Sequence, residues 1–387
     1  MGFKIHEVRL GDICAFRAGS AFPRDNQGKT KGDHPFIKVS DMNAPENSWI
    51  ISRANNWISS SEAHDLKAKL QPKGATVFAK IGEALKADRT RLLSRPTLID
   101  NNMMAAVPKE SIDPLYLYYL ITSLKLSKWA EGSALPYLKQ KVLGDIVVRI
   151  PVHVEDQQRT SSILELIDRK IRINQRTNDY LAEMGTALFN NVAPQSNAPN
   201  AALSDIAEIT MGQSPSGSSY NEEGSGEVFY QGRAEFGSFF PRRRLFTTEP
   251  KRMAQEGDTL MSVRAPVGDL NIANEKCCIG RGLAAIHSDT FQSFTHYLLR
   301  GQSRQLDAFN GDGTVFGSIN GKALRALPIY LPTEKEINEI ETELKSLDAM
   351  IRNNDDEIRL LEQLRDTLLP KLMAGEIDVS EINFLQS

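Results

Sequence analysis

The sequence predicts an α+β protein in which two globular α/β domains alternate with two long helices as an internal tandem repeat. A heptad-spaced apolar seam runs through the last long helix, and a second seam in the same register lies 180 residues upstream. Short strand-like segments recur ahead of each helix. Short strands with few, unevenly placed helices are typical of α+β folds rather than of a doubly wound sheet.

The second long helix is predicted from residue 334 to about residue 372, because its apolar residues recur in alternating steps of three and four. Pro332-Thr333-Glu334 is a helix start signal, and Pro370 and Gly375 are stop signals. A seam this narrow needs a partner helix. The seam residues are Leu344, Leu347, Ile351, Asn354, Ile358, Leu361 and Leu368.

The partner helix carries the same seam in the first half of the chain. Asp168 and Asp348 are matched by the same shift of 180 residues, which makes two unrelated amphipathic helices the weaker alternative. A seam asparagine costs stability and fixes register, so Asn174 and Asn354 are expected in or near one layer. The seam residues of this helix are Leu164, Ile167, Ile171, Asn174, Leu181 and Leu188.

The repeat extends into the globular segments, where Leu10-Gly11-Asp12-Ile13 returns as Leu203-Ser204-Asp205-Ile206. The shift drifts between about 193 and 179 residues, which indicates insertions in loops. The predicted boundaries are 1–152 and 194–332 for the globular domains, 153–193 for the first long helix and 333–387 for the second with its C-terminal tail.

Short elements are predicted inside each globular domain. The strand candidates are residues 36–39, 76–79, 229–231 and 259–263, and strands 146–150 and 327–331 lead into the long helices. Helices are predicted over 114–126 and 291–299, and the Ala/Pro/Asn/Ser-rich segment 193–202 is the clearest linker.

Composition is that of a soluble globular chain. At 387 residues, 41% of them hydrophobic and 25% charged, the chain has room for two or three domains. No apolar run is long enough to span a membrane, and residues 1–6 do not resemble a signal peptide. Cys14, Cys277 and Cys278 are too few for a disulfide framework, so a cytoplasmic location is expected.

Charge is unevenly distributed along the chain. The net charge is -3, but residues 333–387 hold 14 acids against 6 Lys and Arg. The rest of the chain is therefore net positive, which is compatible with globular domains that meet an anion and a helix that does not.

No catalytic constellation is present in the sequence. There is no glycine-rich phosphate loop, no dinucleotide fingerprint, no zinc motif and no amino-methyltransferase tetrapeptide. The histidines are scattered and pair with no evident nucleophile: His6, His34, His64, His153, His287 and His296. The sequence therefore favours a binding protein over an enzyme and predicts no metal or cofactor on this chain.

Two groups of residues are candidates for contact with DNA. Small polar residues, amides and arginines suit phosphates and base edges. The candidates in the second globular domain are Gln213, Ser214, Ser216, Ser219, Tyr220, Gln231, Arg233, Arg242, Arg243, Arg244 and Arg264. Those in the first are Lys29, Lys31, Lys38, Lys80, Lys86, Arg89 and Arg91. The alternative is that these are solvated surface charges and that the Ser-rich loop is only a turn.

Several motifs resemble the specificity (S) subunits of type I restriction-modification systems. The matching stretches are Met211-Gly212-Gln213-Ser214-Pro215-Ser216, Phe229-Tyr230-Gln231-Gly232, Ser262-Val263-Arg264-Ala265-Pro266-Val267-Gly268, Cys278-Ile279-Gly280-Arg281-Gly282-Leu283-Ala284 and Leu368-Leu369-Pro370-Lys371-Leu372-Met373-Ala374-Gly375-Glu376-Ile377. The resemblance covers the whole chain. The first domain matches more loosely, since Lys80-Ile81-Gly82 stands where the second has the Val263–Gly268 stretch.

The resemblance implies two target-recognition domains separated by an antiparallel coiled coil of the two long helices. It implies binding to a bipartite double-stranded DNA target with a fixed gap. It also implies docking of two modification (methyltransferase) subunits, and of restriction subunits through them. In such a system the specificity subunit is not catalytic, and S-adenosylmethionine and ATP serve DNA methylation and restriction in the partner subunits.

Apolar residues outside the seam are candidates for the docking faces, and packing against the chain's own domains is the alternative. They are Ile163, Leu166, Phe189, Leu360, Leu364 and Leu369. The rival to the whole interpretation is a coiled-coil scaffold or adaptor whose globular domains bind proteins instead of DNA.

Overall fold

The structure, a computed structural model, describes residues 4–193, 198–311 and 317–380. Residues 194–197 of the predicted linker and 381–387 of the predicted C-terminal tail lie outside the described residues. The chain divides into two compact units. Unit 1 comprises residues 1–170 and 360–387, and unit 2 comprises residues 171–359.

Unit 1 contains short strands and helices that precede the first long helix. Its strands are β1 (Ile5–Arg9), β2 (Cys14–Ala18), β3 (His34–Ile37), β4 (Ile50–Ile51), β5 (Trp57–Ile58), β6 (Thr76–Ala79), β7 (Thr90–Leu93), β8 (Leu98–Ile99), β9 (Met103–Pro108) and β10 (Val147–Pro151). Its helices are α1 (Leu10–Ile13), α2 (Ser60–Asp65), α3 (Glu83–Lys86), α4 (Pro114–Ser123), α5 (Gln140–Gly144) and the first part of α6 (Val154–Val192).

Unit 2 repeats this arrangement of elements. Its strands are β11 (Ala201–Ala202), β12 (Glu208–Met211), β13 (Tyr220–Asn221), β14 (Glu227–Tyr230), β15 (Leu245–Thr247), β16 (Met253–Ala254), β17 (Thr259–Ser262), β18 (Leu270–Ile272), β19 (Cys277–Ile279), β20 (Leu283–His287) and β21 (Pro328–Ile329). Its helices are the second part of α6, α7 (Gln292–Gly301), α8 (Ser303–Asp307), α9 (Gly321–Arg325) and most of α10 (Glu334–Met373), whose last part belongs to unit 1.

The sheets of the two units share a common core, to which unit 1 adds β4 and unit 2 adds β13 and β16. Unit 1 has the orders β2–β9–β6–β7–β4 and β5–β3–β8, and β1 pairs with β10. Unit 2 has the orders β12–β20–β17–β18 and β13–β15–β14–β19–β16, and β11 pairs with β21. The second sheet of each unit contains one parallel strand pair, which is β3–β8 in unit 1 and β14–β19 in unit 2. The predicted α+β class and tandem repeat are confirmed.

The long helices form antiparallel pairs within each unit. In unit 1, Arg365 of α10 donates to Asp168 of α6 at 3.0 Å, and Leu164 packs with Leu372 in the core. In unit 2, Asn354 of α10 donates to Asn178 of α6 at 2.8 Å. The seam is buried at Leu344, Ile351 and Leu181, among others.

Asn174 and Asn354 lie near one another in the coiled coil, as expected, but one helical turn apart and not bonded to each other. Asn174 donates to Glu357 at 2.7 Å, whereas Asn354 donates to Asn178. The two asparagines occupy equivalent positions in copies that run in opposite directions, so each meets a residue one turn away from its counterpart.

The second long helix ends at Met373, within one residue of the predicted end. Pro370 lies inside α10, which continues to Met373, and Gly375 follows with a φ of 70°. A proline has no backbone N–H, so the helix lacks one hydrogen bond at this position. Leu372 and Met373 are buried in the core of unit 1, and this burial keeps the last turn helical.

Equivalent helices α4 and α7 are capped by different partners. Asp113 precedes α4 and accepts a 2.8 Å hydrogen bond from a backbone N–H of its first turn, while Ser161 of α6 donates to Asp113 at 3.3 Å. Phe291 stands before α7, where Glu341 of α10 accepts a 2.8 Å hydrogen bond from the Phe294 N–H. The free N–H groups of a helix start favour a carboxylate. In unit 1 this carboxylate belongs to the residue before the helix, whereas in unit 2 it belongs to the long helix α10.

None of the helices in the described part of the chain has the length and apolar character needed to cross a membrane.

Candidate nucleic-acid interface

Segments of unit 2 converge where strands β12, β14, β17 and β19 end. Backbone hydrogen bonds between residues distant in sequence hold these segments together: Gly212 N to Leu283 O (2.9 Å), Gln213 N to Ile279 O (3.0 Å), Gly280 N to Tyr230 O (2.8 Å) and Val263 N to Gly282 O (2.9 Å). These bonds fix the positions from which the side chains at the strand ends project.

Two glycines make this convergence sterically possible. A Cβ at Gly212 would lie 2.2 Å from the carbonyl oxygen of Gly280, and a Cβ at Gly280 would lie 2.8 Å from that of Gln231. Either contact is too short for a side chain. The backbone segments therefore meet directly, and the residues beside the glycines point outward.

Exposed polar side chains project from this framework. They are Gln213, Gln231, Arg264 and Arg281, which we call the strand-end cluster of unit 2. Arg264 and Arg281 are both exposed, and neither has an ion-pair partner within the described ranges. Arginine and glutamine side chains of this kind suit the acceptors and donors of base edges, and arginine also suits phosphate.

Unit 1 contains the same backbone framework with other side chains. The equivalent bonds run from Gly19 N to Met103 O (3.2 Å), Ser20 N to Ile99 O (2.9 Å), Asp100 N to Ile37 O (3.0 Å) and Lys80 N to Asn102 O (2.9 Å). An isolated bridge pairs Ile81 with Tyr137 just as one pairs Arg264 with Ser318. The strand-end cluster of unit 1 is therefore Ser20, Lys38, Ile81 and Asn101.

Most of the predicted arginines of unit 2 are paired with acids of the same unit. The ion pairs are Arg233–Asp269 (2.7 Å), Arg243–Glu275 (2.6 Å) and Arg244–Glu235 (2.7 Å). Hydrogen bonds donated to the carboxylates of Glu275 and Glu235 raise the pKa of Arg243 and of Arg244, respectively. All three guanidinium groups are exposed but already partnered. Arg242 is exposed, and its backbone N–H donates to the backbone carbonyl of Glu235 at 2.8 Å.

The aromatic residues beside these arginines belong to the protein interior. Phe240 is buried with Leu181 and Ile351 of the long helices, and Phe239 packs against the same cluster. The aromatic rings of the Phe-Phe-Pro-Arg-Arg-Arg stretch therefore attach it to the helices of unit 2, whereas its three arginines are exposed.

The Ser-rich loop is partly structural. Ser219 is buried, and its hydroxyl lies 2.7 Å from that of Thr247, so we remove it from the candidate interface. Tyr220 donates to the Pro215 carbonyl at 3.1 Å. Ser216 remains exposed, and the Ser214 hydroxyl accepts a 3.2 Å hydrogen bond from the Arg281 backbone, which connects this loop to the strand-end cluster.

The predicted cations of unit 1 fall into several environments. Arg91 is corrected to a structural residue: its guanidinium donates to the carbonyls of Thr90 (2.7 Å) and Met42 (2.8 Å), and burial lowers its pKa. Four other cations have partners within unit 1. Ion pairs join Lys29 to Glu62 (3.3 Å) and Lys86 to Glu83 (2.6 Å), Arg89 donates a hydrogen bond to Asn43 (2.7 Å), and the Lys38 ammonium lies over the Phe22 ring (3.7 Å). Lys31 is exposed, and Lys80 is half-buried beside the strand-end cluster.

Sequence reasoning missed Arg281 as a candidate. The sequence feature that could have identified it is the Gly280-Arg281-Gly282 triplet. This triplet is incomplete as a dinucleotide motif, but its two glycines pack closely and Arg281 is the one side chain that it presents. Within the described residues, no group of three or more His, Cys, Asp or Glu side chains is placed to hold a metal ion.

A family model described as the type I restriction modification DNA specificity domain matches residues 4–183 and 198–363. The chain belongs to this family. It is a DNA specificity subunit of a type I restriction-modification system, a component that recognises DNA and is not catalytic. The two matched ranges correspond to the two copies of the repeat.

Known specificity subunits resemble this specificity subunit along most of its length. It is 33% identical to the MjaX type I restriction enzyme specificity subunit of Methanocaldococcus jannaschii over 308 residues, 72% of each chain. It is 23% identical to the MjaIX specificity subunit of the same organism over 97% of this chain and 94% of that one. A crystal structure of an S subunit from M. genitalium has the same fold, with a TM-score of 0.58, 15% identity and 96% of each chain covered.

Proposed function

We propose that this specificity subunit binds one bipartite double-stranded DNA target with a fixed gap, and that each unit reads one half-site. The observation that supports this most is the duplicated framework. The same backbone hydrogen bonds recur in both units, while the side chains that they present differ: Gln213, Arg264 and Arg281 in unit 2 against Ser20, Ile81 and Asn101 in unit 1. One scaffold with two different sets of side chains at its strand ends suits two different half-sequences.

We propose the domain boundaries that the sequence indicates. Residues 1–152 and 194–332 are the target-recognition domains, 153–193 is the first spacer helix, and 333–387 is the second with its tail. α6 has 39 residues and α10 has 40, without a break in either helix. Continuous helices of this length are stiff enough to set a constant gap between the half-sites.

Docking of two methyltransferase subunits is supported by exposed apolar pairs at equivalent positions of the repeat. Tyr180 and Met184 on α6 are 55% and 54% exposed, and Leu360 and Leu364 on α10 are 66% and 46% exposed. Each pair lies one helical turn apart on one face, and the 180-residue shift matches one pair with the other. Two equivalent faces suit two identical partners.

Other residues expected on these faces have different environments. Leu166 is exposed. Phe189 is buried in the core of unit 2, and Ile163 and Leu369 pack against the core of unit 1. Their apolar character is used within the protein itself, so only Leu166, Leu360 and Leu364 remain from the sequence-based set. Tyr180 and Met184 are added by their exposure.

The remaining partners and cofactors follow from this assignment. We propose that restriction subunits join through the methyltransferase subunits, that S-adenosylmethionine and ATP are bound by the partners, and that the complex works in the cytoplasm. This chain supplies the DNA contacts and the docking faces.

Methylation mapping tests the proposal. The chain is expressed with its cognate modification subunit, and methylated adenines are located across a genome. We expect a single bipartite motif with a constant gap. Sequence-independent methylation, or none, from a complex that is assembled and binds S-adenosylmethionine would favour the adaptor interpretation.

Two variants separate the parts of the proposal. One heptad inserted into both long helices should lengthen the gap and leave both half-sites unchanged. Leu360→Ser with Leu364→Ser should reduce the bound methyltransferase subunits from two to one per chain, measured by native mass spectrometry. Ser346→Ala, a change on the same helix outside the pair, is the control and should retain two.

A further inference from the structure

We propose that Arg264 and Arg281 read guanine in the half-site bound by unit 2. This inference rests on the proposed function, because it presumes that unit 2 contacts one half-site. It assigns the chemical character of that half-site and the side chains that select it.

The two arginines differ from the other predicted arginines in what occupies their donors. Arg243 and Arg244 are each held by a carboxylate of unit 2. Arg264 and Arg281 are exposed and have no ion-pair partner within the described ranges. A guanidinium group offers five N–H donors in a planar fork, which matches two adjacent acceptors such as O6 and N7 of guanine.

The backbone holds both arginines in place before any ligand arrives. Around Arg264, Ala265 N donates to Gly317 O at 2.9 Å, and Ile319 N donates to Val263 O at 3.1 Å. The Arg281 N–H donates to the Ser214 hydroxyl at 3.2 Å. Fixed attachment points reduce the entropy lost when the side chains dock, which favours a specific contact.

The comparison of the two units distinguishes base reading from phosphate binding. The sugar-phosphate backbone is chemically the same in both half-sites, so a phosphate contact has no reason to differ between two copies of one framework. At the positions of Arg264 and Arg281, unit 1 carries Ile81 and Asn101. The charge changes where the backbone does not, as expected of positions that select bases.

The neighbours of the arginines support the same conclusion. Gln213 and Gln231 complete the cluster, and an amide presents a donor and an acceptor together. That pair suits an adenine edge and has no advantage for an anion. A mixed set of two arginines and two glutamines therefore fits a short sequence that contains guanine.

The test uses the chain assembled with its modification subunits. Arg264→Ala and Arg281→Ala are each mapped for methylated sites and assayed for DNA binding across a salt series. We expect each variant to lose preference for guanine at one position of one half-site, by roughly 5- to 100-fold, with the other half-site and the gap unchanged. Arg264→Lys keeps the charge without the fork and should also relax that position.

A matched control separates the possible failures. Arg304→Ala removes an exposed arginine of the same unit that lies outside the candidate interface, and it should leave the motif intact. Uniform weakening at all sequences with a smaller salt slope would show phosphate contact and overturn the inference, as would an unchanged motif. Failure of the proposed function is distinguishable, because the unaltered chain would then yield no bipartite motif.

Discussion

The phenol of Tyr119 donates a 2.8 Å hydrogen bond to the carboxylate of Asp168, which links helix α4 to α6 inside unit 1. Arg365 of α10 donates to the other oxygen of the same carboxylate at 3.0 Å. In unit 2, Tyr297 and Asp348 form the matching pair at 3.2 Å. Burial raises the pKa of Tyr119 and of Tyr297, so both remain donors at neutral pH.

Removing the Tyr119 hydroxyl should destabilise unit 1. Tyr119→Phe loses a buried hydrogen bond to a charged acceptor, and we expect the free energy of unfolding to fall by about 1–3 kcal/mol in urea titrations. Tyr297→Phe should cost less, because its bond is longer. Tyr180→Phe, at an exposed tyrosine, is the control, and equal decreases at positions 119 and 180 would contradict the expectation.

Removing a different hydroxyl should stabilise the same unit. Tyr116 is fully buried, and its hydroxyl has no hydrogen-bond partner among the described residues. The equivalent residue of unit 2 is Phe294, also fully buried. Tyr116→Phe should raise the free energy of unfolding by about 1 kcal/mol, because a polar group is no longer buried unsatisfied. The reverse change, Phe294→Tyr, should lower it, and a decrease in stability in Tyr116→Phe would be the opposite of this expectation.

Asn178 and Asn354 form a polar layer in the coiled coil. Replacing one of them should lower the free energy of unfolding more than replacing both. Asn178 donates to the Ile351 carbonyl at 3.1 Å and accepts from Asn354 at 2.8 Å. Asn178→Leu leaves the Asn354 amide without this partner and should cost about 1–3 kcal/mol of unfolding free energy. The double variant with Asn354→Leu should recover most of that stability. A double-mutant cycle by denaturant unfolding measures the coupling, and strictly additive effects would disprove it.

His287 should make the stability of unit 2 depend on pH. Its Nδ1 lies 2.6 Å from Asp258, and its Nε2 lies 3.1 Å from Asp289. Burial of the ring opposes protonation, but the two carboxylates outweigh it and raise the pKa of His287 above its ordinary 6.5. A raised pKa contributes stability that is present in full below pH 6.5 and is lost as pH rises through the folded-state value.

The measurement is the free energy of unfolding of the unaltered chain and of His287→Gln over a pH series. We expect the advantage of the unaltered chain to shrink steadily as the pH rises above 6.5. The contribution of His296, which burial keeps neutral, is present in both proteins and cancels. His6→Gln at an exposed histidine should show no such trend, and an advantage that grows with pH would refute the expectation.

Replacing Arg242, Arg243 and Arg244 together with alanine should weaken DNA binding by the assembled complex. The slope of log affinity against log salt should become shallower by up to about 0.9 for each phosphate group that the variant no longer binds. The partners Glu275 and Glu235 are then left near the DNA. Glu275→Gln alone should have the opposite effect, because it releases Arg243 from its ion pair. Affinity and slope that stay unchanged in the triple variant would rule out this stretch as a DNA-binding segment.

Features with local signals in the sequence were predictable. β6 spans Thr76–Ala79 as the pattern predicts, and α4 begins at the predicted Pro114. The seam of the long helices follows from a repeat of three and four residues that needs no knowledge of the fold. Asn174 and Asn354 were expected only in or near one layer, because the exact register of an antiparallel helix pair depends on packing that sequence position alone does not give.

The candidate interface depended on contacts that no local pattern reports. The strand-end cluster forms through hydrogen bonds between segments such as those of Gln213 and Ile279. Arg243 meets Glu275, which lies 32 residues further along the chain. Arg91 and Ser219 have the residue types of a DNA contact but are used by the protein's own backbone and interior.

The two capping carboxylates determine which pieces of the repeat can be exchanged. Asp113 is carried by the globular part of unit 1, whereas Glu341 is carried by the long helix of unit 2. A chimera of the first globular part with the second helix would place both acids at one helix start. The reciprocal chimera joins the second globular part to the first long helix. It would place Phe291 next to Ser161, and the start of α7 would then have no acidic partner. Recombination between the halves therefore retains both caps only when each globular part is inherited with the helix segment that it contacts.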